Sequence, residues 1–367
     1  MLFMRSTAKA ISLKSIIAWL PNECLYIIME YLVTPDLAAM CRTSRLLRNM
    51  GTKMLYRDVT IGSEVQLELF LKGLWSGVTG KESPVRLIRS FVLGKSAVCG
   101  RLTEAQEKKL ATILCKMSGL EFIRLEPHRM DYSALLGKAR FPALVKFQGY
   151  LRTKTAVAMI DFLNRHAATV ESVIVITPYP MELPPGMQKI HLPALRVAVT
   201  RSYLLDIFDF TDVALTKIMF LTHELDADIP AESFVNLRGM STLQNVTVLS
   251  DGDTGERGEL LRIIAANLTH IQSLTFAEMK GKMTPISHDD ANNVAAALEK
   301  FDALEVLDFG NAVGNPFVTV LRWGDTCRSL QTIRLNGVTY KRRETAWSVA
   351  KERTGRYTQL NSDAEDE

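Results

Sequence analysis

The chain has 367 residues, 47% of them hydrophobic and 23% charged, with a net charge of +4 at neutral pH. That length allows one large or two ordinary domains, and the composition suits a chain able to bury a sizeable core. So small a basic excess, spread along the sequence, gives no reason to expect nucleic acid as a partner. Cys24, Cys41, Cys99, Cys115 and Cys327 form no C-x-x-C pair. The pattern fits reduced thiols in cytoplasm or nucleus and argues against a disulfide framework, a zinc site or another metal. Apolar runs such as "VIVI" at 173–176 fall far short of the ~20 residues that span a bilayer, so no membrane role is expected.

Residues 1–18 read as a disordered leader. The stretch is basic and free of acid before Glu23, as transit peptides are, while Lys9 and Lys14 interrupt any secretory apolar core. The Asn-x-Thr triplets at 245–247 and 267–269 carry no meaning in a protein that is not exported.

Three short helices are predicted in residues 19–61. Asn22 is placed to cap the first, whose apolar positions Leu25, Ile28 and Leu32 recur at helical spacing. Thr34 is placed to cap the second, with Pro35 at the tolerated first position and Asp36 at the positive helix end. The third runs through "SRLLRNMGTKMLY", turning Leu47, Met50, Met54 and Leu55 inward, with Gly51 a weak point.

Leu20-Pro21-x-Glu23-x-Leu25, then Ile28, Leu32, Asp36-Leu37, Cys41, Ser44 and "LYRDVTI" (55–61), resemble an F-box and its exit strand. The resemblance implies that Leu20, Pro21, Leu25, Ile28, Leu32 and Leu37 dock on a Skp-type adaptor. Through it the chain would join a cullin–RING ubiquitin ligase, with the remaining residues capturing a protein substrate. Cys24 and Met29 stand where that family is permissive.

Beyond a linker or capping segment at 62–84, the sequence repeats. An apolar-x-x-apolar-x-apolar signature begins at Ile88, Leu120, Val170, Leu192, Leu215, Leu243, Ile271, Leu304 and Leu330, with a weaker copy at Leu144. Its irregular period averages about 27 residues, inside the range of leucine-rich repeats. Amphipathic, helix-sized stretches lie between the signatures at 103–119, 155–169, 259–270 and 287–303, and Ser287 with Asp290 makes a capping-box-like start. Residues 85–340 thus resemble a degenerate leucine-rich-repeat array, as in a fungal-type F-box receptor. The fold class is α/β, a helical N-terminus followed by a helix–strand solenoid with a parallel sheet. A doubly wound sheet is the alternative.

In such an array the residue between the last two anchors of each repeat faces the open side of the sheet. That row reads Val92, Arg124, Gln148, Ile174, Arg196, Met219, Thr247, Thr275, Asp308 and Arg334. Arg124, Gln148, Ile174, Arg196 and Met219 are the predicted substrate contacts, suited to an acidic or phosphorylated segment with an apolar anchor.

Patterns suggestive of chemistry fail on inspection. "SGVTGKES" (76–83) lacks the first glycine of a phosphate loop, and "DGDTGERGELLR" (251–262) has Arg262 where a calcium loop needs glutamate. His223, Glu224, Asp226 and Asp228 sit together but have no second histidine at helical spacing. His166 and His270 each follow a helix, where contact with its negative end accounts for them. The segment 341–367 reads as a basic solvated helix with an acidic tail. The sequence therefore predicts a non-catalytic protein without cofactors. The alternatives are a repeat scaffold outside ubiquitin transfer and an α/β enzyme with a helical extension.

Overall fold

In the computed structural model, residues 20–75, 83–97, 102–126, 132–177, 186–222, 234–250, 257–278, 288–311 and 314–350 are described. The chain divides into two compact units, Met1–Met130 with Ala134–Leu144 and Val145–Glu367 with Asp131–Ser133.

The first unit opens with helices α1 (Asn22–Glu30), α2 (Thr34–Cys41) and α3 (Arg45–Leu55). The caps differ from expectation. Pro21 and Val33 hold the N-cap positions, so Asn22 and Thr34 are already helical and neither helix has a side-chain cap. Ser44 does cap α3, its hydroxyl accepting the Leu47 N–H at 3.1 Å. Leu25, Met29, Leu37, Cys41, Leu47 and Met50 form the core of this bundle, with Met54 and Leu55 only half-buried against it. Gly51 does not break α3. A Cβ there would lie 2.3 Å from Cys41 Sγ and 2.6 Å from Met29 Cε, so only glycine lets the helices meet this closely.

The chain leaves the bundle as strand β1 (Asp58–Ile61). The segment expected to be a linker contains helix α4 (Glu64–Trp75), which buries Leu67, Leu71 and Leu74 at i, i+4, i+7 spacing. Strand β1 pairs in parallel with β2 (Ser90–Leu93), which pairs with β3 (Phe122–Leu125). Between β2 and β3 lies α5 (Glu104–Leu114), started by a capping box in which Thr103 and Gln106 bond each other's backbone N–H. The six-residue α6 (Ser133–Lys138) follows.

In the second unit the strands are β4 (Lys146–Tyr150), β5 (Ser172–Ile176), β6 (Ile190–His191), β7 (Val197–Arg201), β8 (Phe208–Asp209), β9 (Lys217–Thr222), β10 (Asn245–Ser250), β11 (Ser273–Glu278), β12 (Val306–Asp308) and β13 (Thr332–Leu335). Strands β6 and β8 pair with each other, and the rest form parallel neighbours in chain order. The order never reverses, unlike that of a doubly wound sheet, which turns back at a switch point. Helices α7 (Ala156–Arg165), α8 (Arg257–Asn267), α9 (His288–Leu298) and α10 (Pro316–Thr326) connect β4–β5, β10–β11, β11–β12 and β12–β13. Ser287, the expected cap of α9, lies outside the described residues.

The repeated signature succeeds because alternate strand residues face opposite ways. Val173, Ile218, Val246, Leu274, Leu307 and Ile333 all point inward and are 0–1% exposed. The signature beginning at Leu192 is three residues out of step, the true anchors being Leu195, Ala198 and Thr200. Its strand places Ala198 and Thr200 inward, with Ala198 opposite Val173 and Ile218, while Val197 turns outward. Small and polar letters at the true anchors hid the register.

The predicted basic helix after 340 is a hairpin instead. Strands β14 (Val338–Arg343) and β15 (Ala346–Val349) run antiparallel beside β13. The Trp347 indole lies on Gly324 of α10, where a Cβ would come within 2.3 Å of Nε1, and Arg342 sits 5.9 Å over its ring. Tyr340 and Trp347 are the buried aromatics of the two strands, and the basic run Lys341-Arg342-Arg343 lies on β14, between β13 and β15. Residues 351–367, with the acidic tail, lie outside the described ones.

Candidate protein-docking surfaces

Helix α1 is apolar on two sides. Leu25 and Met29 are 2% and 1% exposed and hold the bundle together. About 130° round the helix on average, Ile27, Ile28 and Tyr31 are 56%, 43% and 86% exposed, and Val33 in the following turn is 62% exposed. Cys24 and Pro21 are exposed beside them. Such an exposed apolar surface on so small a bundle is a candidate docking place for another protein.

This arrangement redistributes the six predicted adaptor contacts. Pro21 and Ile28 are exposed, Leu20 and Leu32 are half-buried against the core, and Leu25 and Leu37 are buried within it. A buried side chain has no surface to offer in this conformation, so Leu25 and Leu37 shape the bundle rather than the contact. Ile27, Tyr31 and Val33, exposed beside Ile28, were not singled out by the sequence. A helical-period search finds one apolar stripe, and here two stripes share a helix.

The predicted substrate row also changes. Gln148, Ile174 and Met219 do lie along one row of the second unit, with Val199 completing it through Ile174↔Val199 and Val199↔Met219 pairing. Arg196 precedes β7 and has the parity of the inward Ala198, so it is not in this row. Arg124 belongs to the first unit, where its guanidinium pairs with Glu126 two residues along the same strand face. Arg124 thus already has an anionic partner, and Arg196 lies outside the row of Gln148, Ile174 and Met219. Farther along, Thr247 and Thr275 are partners, and Asp308 sits opposite Arg334 with 3.6 Å between Oδ2 and Nη1. Burial raises the Asp308 carboxyl above its ordinary value despite that cation.

A polar cleft of about 400 Å³ in the second unit is lined by Lys189, Asp209, Thr211, Asn236, Arg238 and neighbouring residues. Asp209 serves structure there. Hydrogen bonds from Thr211 hold its carboxyl below the ordinary range, and His191 Nδ1 lies 3.6 Å away. His166 Nδ1 meets the Phe162 carbonyl at 2.7 Å, the expected helix-end contact, whereas His270 Nε2 reaches across to the Met240 carbonyl at 2.7 Å. Arg262, at the would-be calcium-ligand position, bonds Glu259. Residues 76–82, 223–228 and 251–256, which carry the other chemical motifs, lie outside the described residues. Among the described residues no helix is long and apolar enough to cross a membrane, and no group of three or more metal-binding side chains converges.

A family model of the F-box domain matches residues 17–56, the segment of the three-helix bundle. No curated protein matches the chain.

Proposed function

We propose that the chain is a non-catalytic substrate receptor of a Skp–cullin–F-box ubiquitin ligase. The observation that carries this reading is the F-box match over a bundle whose exposed Ile27, Ile28, Tyr31 and Val33 leave a docking surface unfilled. F-box domains bind Skp-type adaptors and through them cullins. On this reading the units beyond the bundle capture the substrate. The in-order parallel strands, with helices in many of the connections, support a leucine-rich-repeat-like array for that purpose. A cytoplasmic or nuclear setting follows from the partners.

The test is co-expression of the full chain with a Skp-type adaptor and a cullin, followed by size-exclusion chromatography. Co-elution of all three is expected. A chain that elutes alone beside excess adaptor overturns the reading. Adaptor binding without cullin recruitment favours a scaffold outside ubiquitin transfer.

A further inference from the structure

On β4 to β10 the outward side chains form a surface with an aliphatic centre and cationic margins. Ile174, Ile176, Val199, Met219, Leu221 and Leu249 are half-buried neighbours on four adjacent strands. Lys146 and Lys217 stand at the start of β4 and β9, and Arg201 ends β7. No outward position on these five strands carries Asp or Glu. Among the described residues, neither Lys146 nor Lys217 has an ion-pair partner.

The dimensions suit a polypeptide. Five strands spaced ~4.8 Å apart give a patch about 19 Å across, the length of five or six extended residues. Lys146 and Lys217, three strands apart, are separated by about 14 Å on the same spacing. The margins select charge, because cations on a face without carboxylates favour an anionic partner and repel a basic one. The aliphatic centre offers nucleic-acid bases no stacking platform. Half-buried side chains also do not protrude far enough to enter a lipid layer, so the partner must bring its own protruding apolar group.

We propose that this face binds an extended acidic protein segment carrying an aliphatic or aromatic anchor. The anchor seats on Ile174, Val199 and Met219, and flanking carboxylates meet Lys146 and Lys217. The inference deepens the receptor reading, on which it rests, by giving the chemical class of the captured substrate.

The test pans a phage-displayed library of random linear peptides on the full chain. The chain is held once through a Skp-type adaptor and once directly by its N-terminus. Enriched sequences should combine Leu, Ile, Met, Phe or Tyr with nearby Asp or Glu. A synthetic representative should bind about tenfold or more weakly to Met219→Asp and to Lys146→Glu/Lys217→Glu, with circular dichroism and adaptor binding unchanged. Failure of adaptor capture counts against the receptor reading alone, since direct immobilisation still interrogates the face. Absence of enrichment, enrichment of uncharged or basic peptides, or equal binding by the variants overturns the inference. So does a dimer in sedimentation that Met219→Asp dissociates, which would give the face to a second copy. A peptide of residues 351–367 binding as tightly as the selected ones would assign the face to the chain's own acidic tail, and would overturn the inference likewise.

Discussion

Replacing Gly51 with alanine sets two effects of known size against each other. Alanine is favoured over glycine inside a helix by about 0.8–1.0 kcal/mol, so an open site would gain stability. At Gly51 the new Cβ would meet Cys41 Sγ at 2.3 Å and Met29 Cε at 2.6 Å, with Leu37 Cδ1 at 3.4 Å. Met29 can move a flexible methyl, but Cys41 is 7% exposed and fixed on its own helix. Overpacking a tight core costs about 1–3 kcal/mol, so the clash outweighs the propensity gain and the bundle loses up to about 2 kcal/mol. Hydrogen exchange of the α1–α3 amides reads this locally and is insensitive to unfolding elsewhere. Exchange should accelerate by up to about 30-fold in Gly51→Ala. Adding Cys41→Ala removes the closest atom, and the double variant should recover about 1 kcal/mol of the loss. Slower exchange in Gly51→Ala would refute the packing argument, because propensity alone would then be acting.

Thr103→Ala removes the cap of α5 and should cost about 1 kcal/mol, seen as roughly fivefold faster exchange across Glu104–Leu114 with the α1–α3 bundle unaffected. Asp308 titrates above its ordinary value, so between that value and the raised one the folded chain keeps a proton that the unfolded chain releases. Its contribution is fully present below about pH 3.5 and is lost as pH rises through the folded value. Wild type should therefore lose melting temperature relative to Asp308→Asn between about pH 3.5 and pH 7. A constant difference across that range contradicts burial as the dominant influence on Asp308.

The bundle and the sheet were legible because both rest on spacing. The apolar periods of 20–61 and the strand signatures name residues that the fold buries, from Leu47 to Ile333. Register failed at β7, where Ala198 and Thr200 carry too little apolar signal to mark an inward face. The basic segment misled because its run of charge drew attention away from the β-favouring aromatics Tyr340 and Trp347, and α4 was missed because its buried Leu67, Leu71 and Leu74 were not weighed as a stripe. Of the six predicted adaptor contacts, the structure leaves Pro21 and Ile28 exposed and buries Leu25 and Leu37. Distinguishing Leu25 from Ile27 requires knowing where α2 and α3 pack, which one helix's period does not contain. The surroundings of the two arginines were not legible from the repeat signature. Glu126 stands two residues from Arg124 on one strand face, and the register shift removes Arg196.

Whether the exposed face of α1 is an adaptor site is tested most directly by an equilibrium titration of the full chain with a purified Skp-type adaptor. Ile28→Ala/Tyr31→Ala removes two exposed side chains without touching the buried Leu25 and Met29. The comparison variant is Val65→Ala/Leu69→Ala, equally exposed at 67% and 63% but on α4. Loss of anchors at the centre of an interface should weaken binding by ~2 kcal/mol or more, about thirty-fold, while the α4 variant binds like wild type. Unchanged affinity in the α1 variant, or an equal loss in both, would contradict an adaptor site on α1.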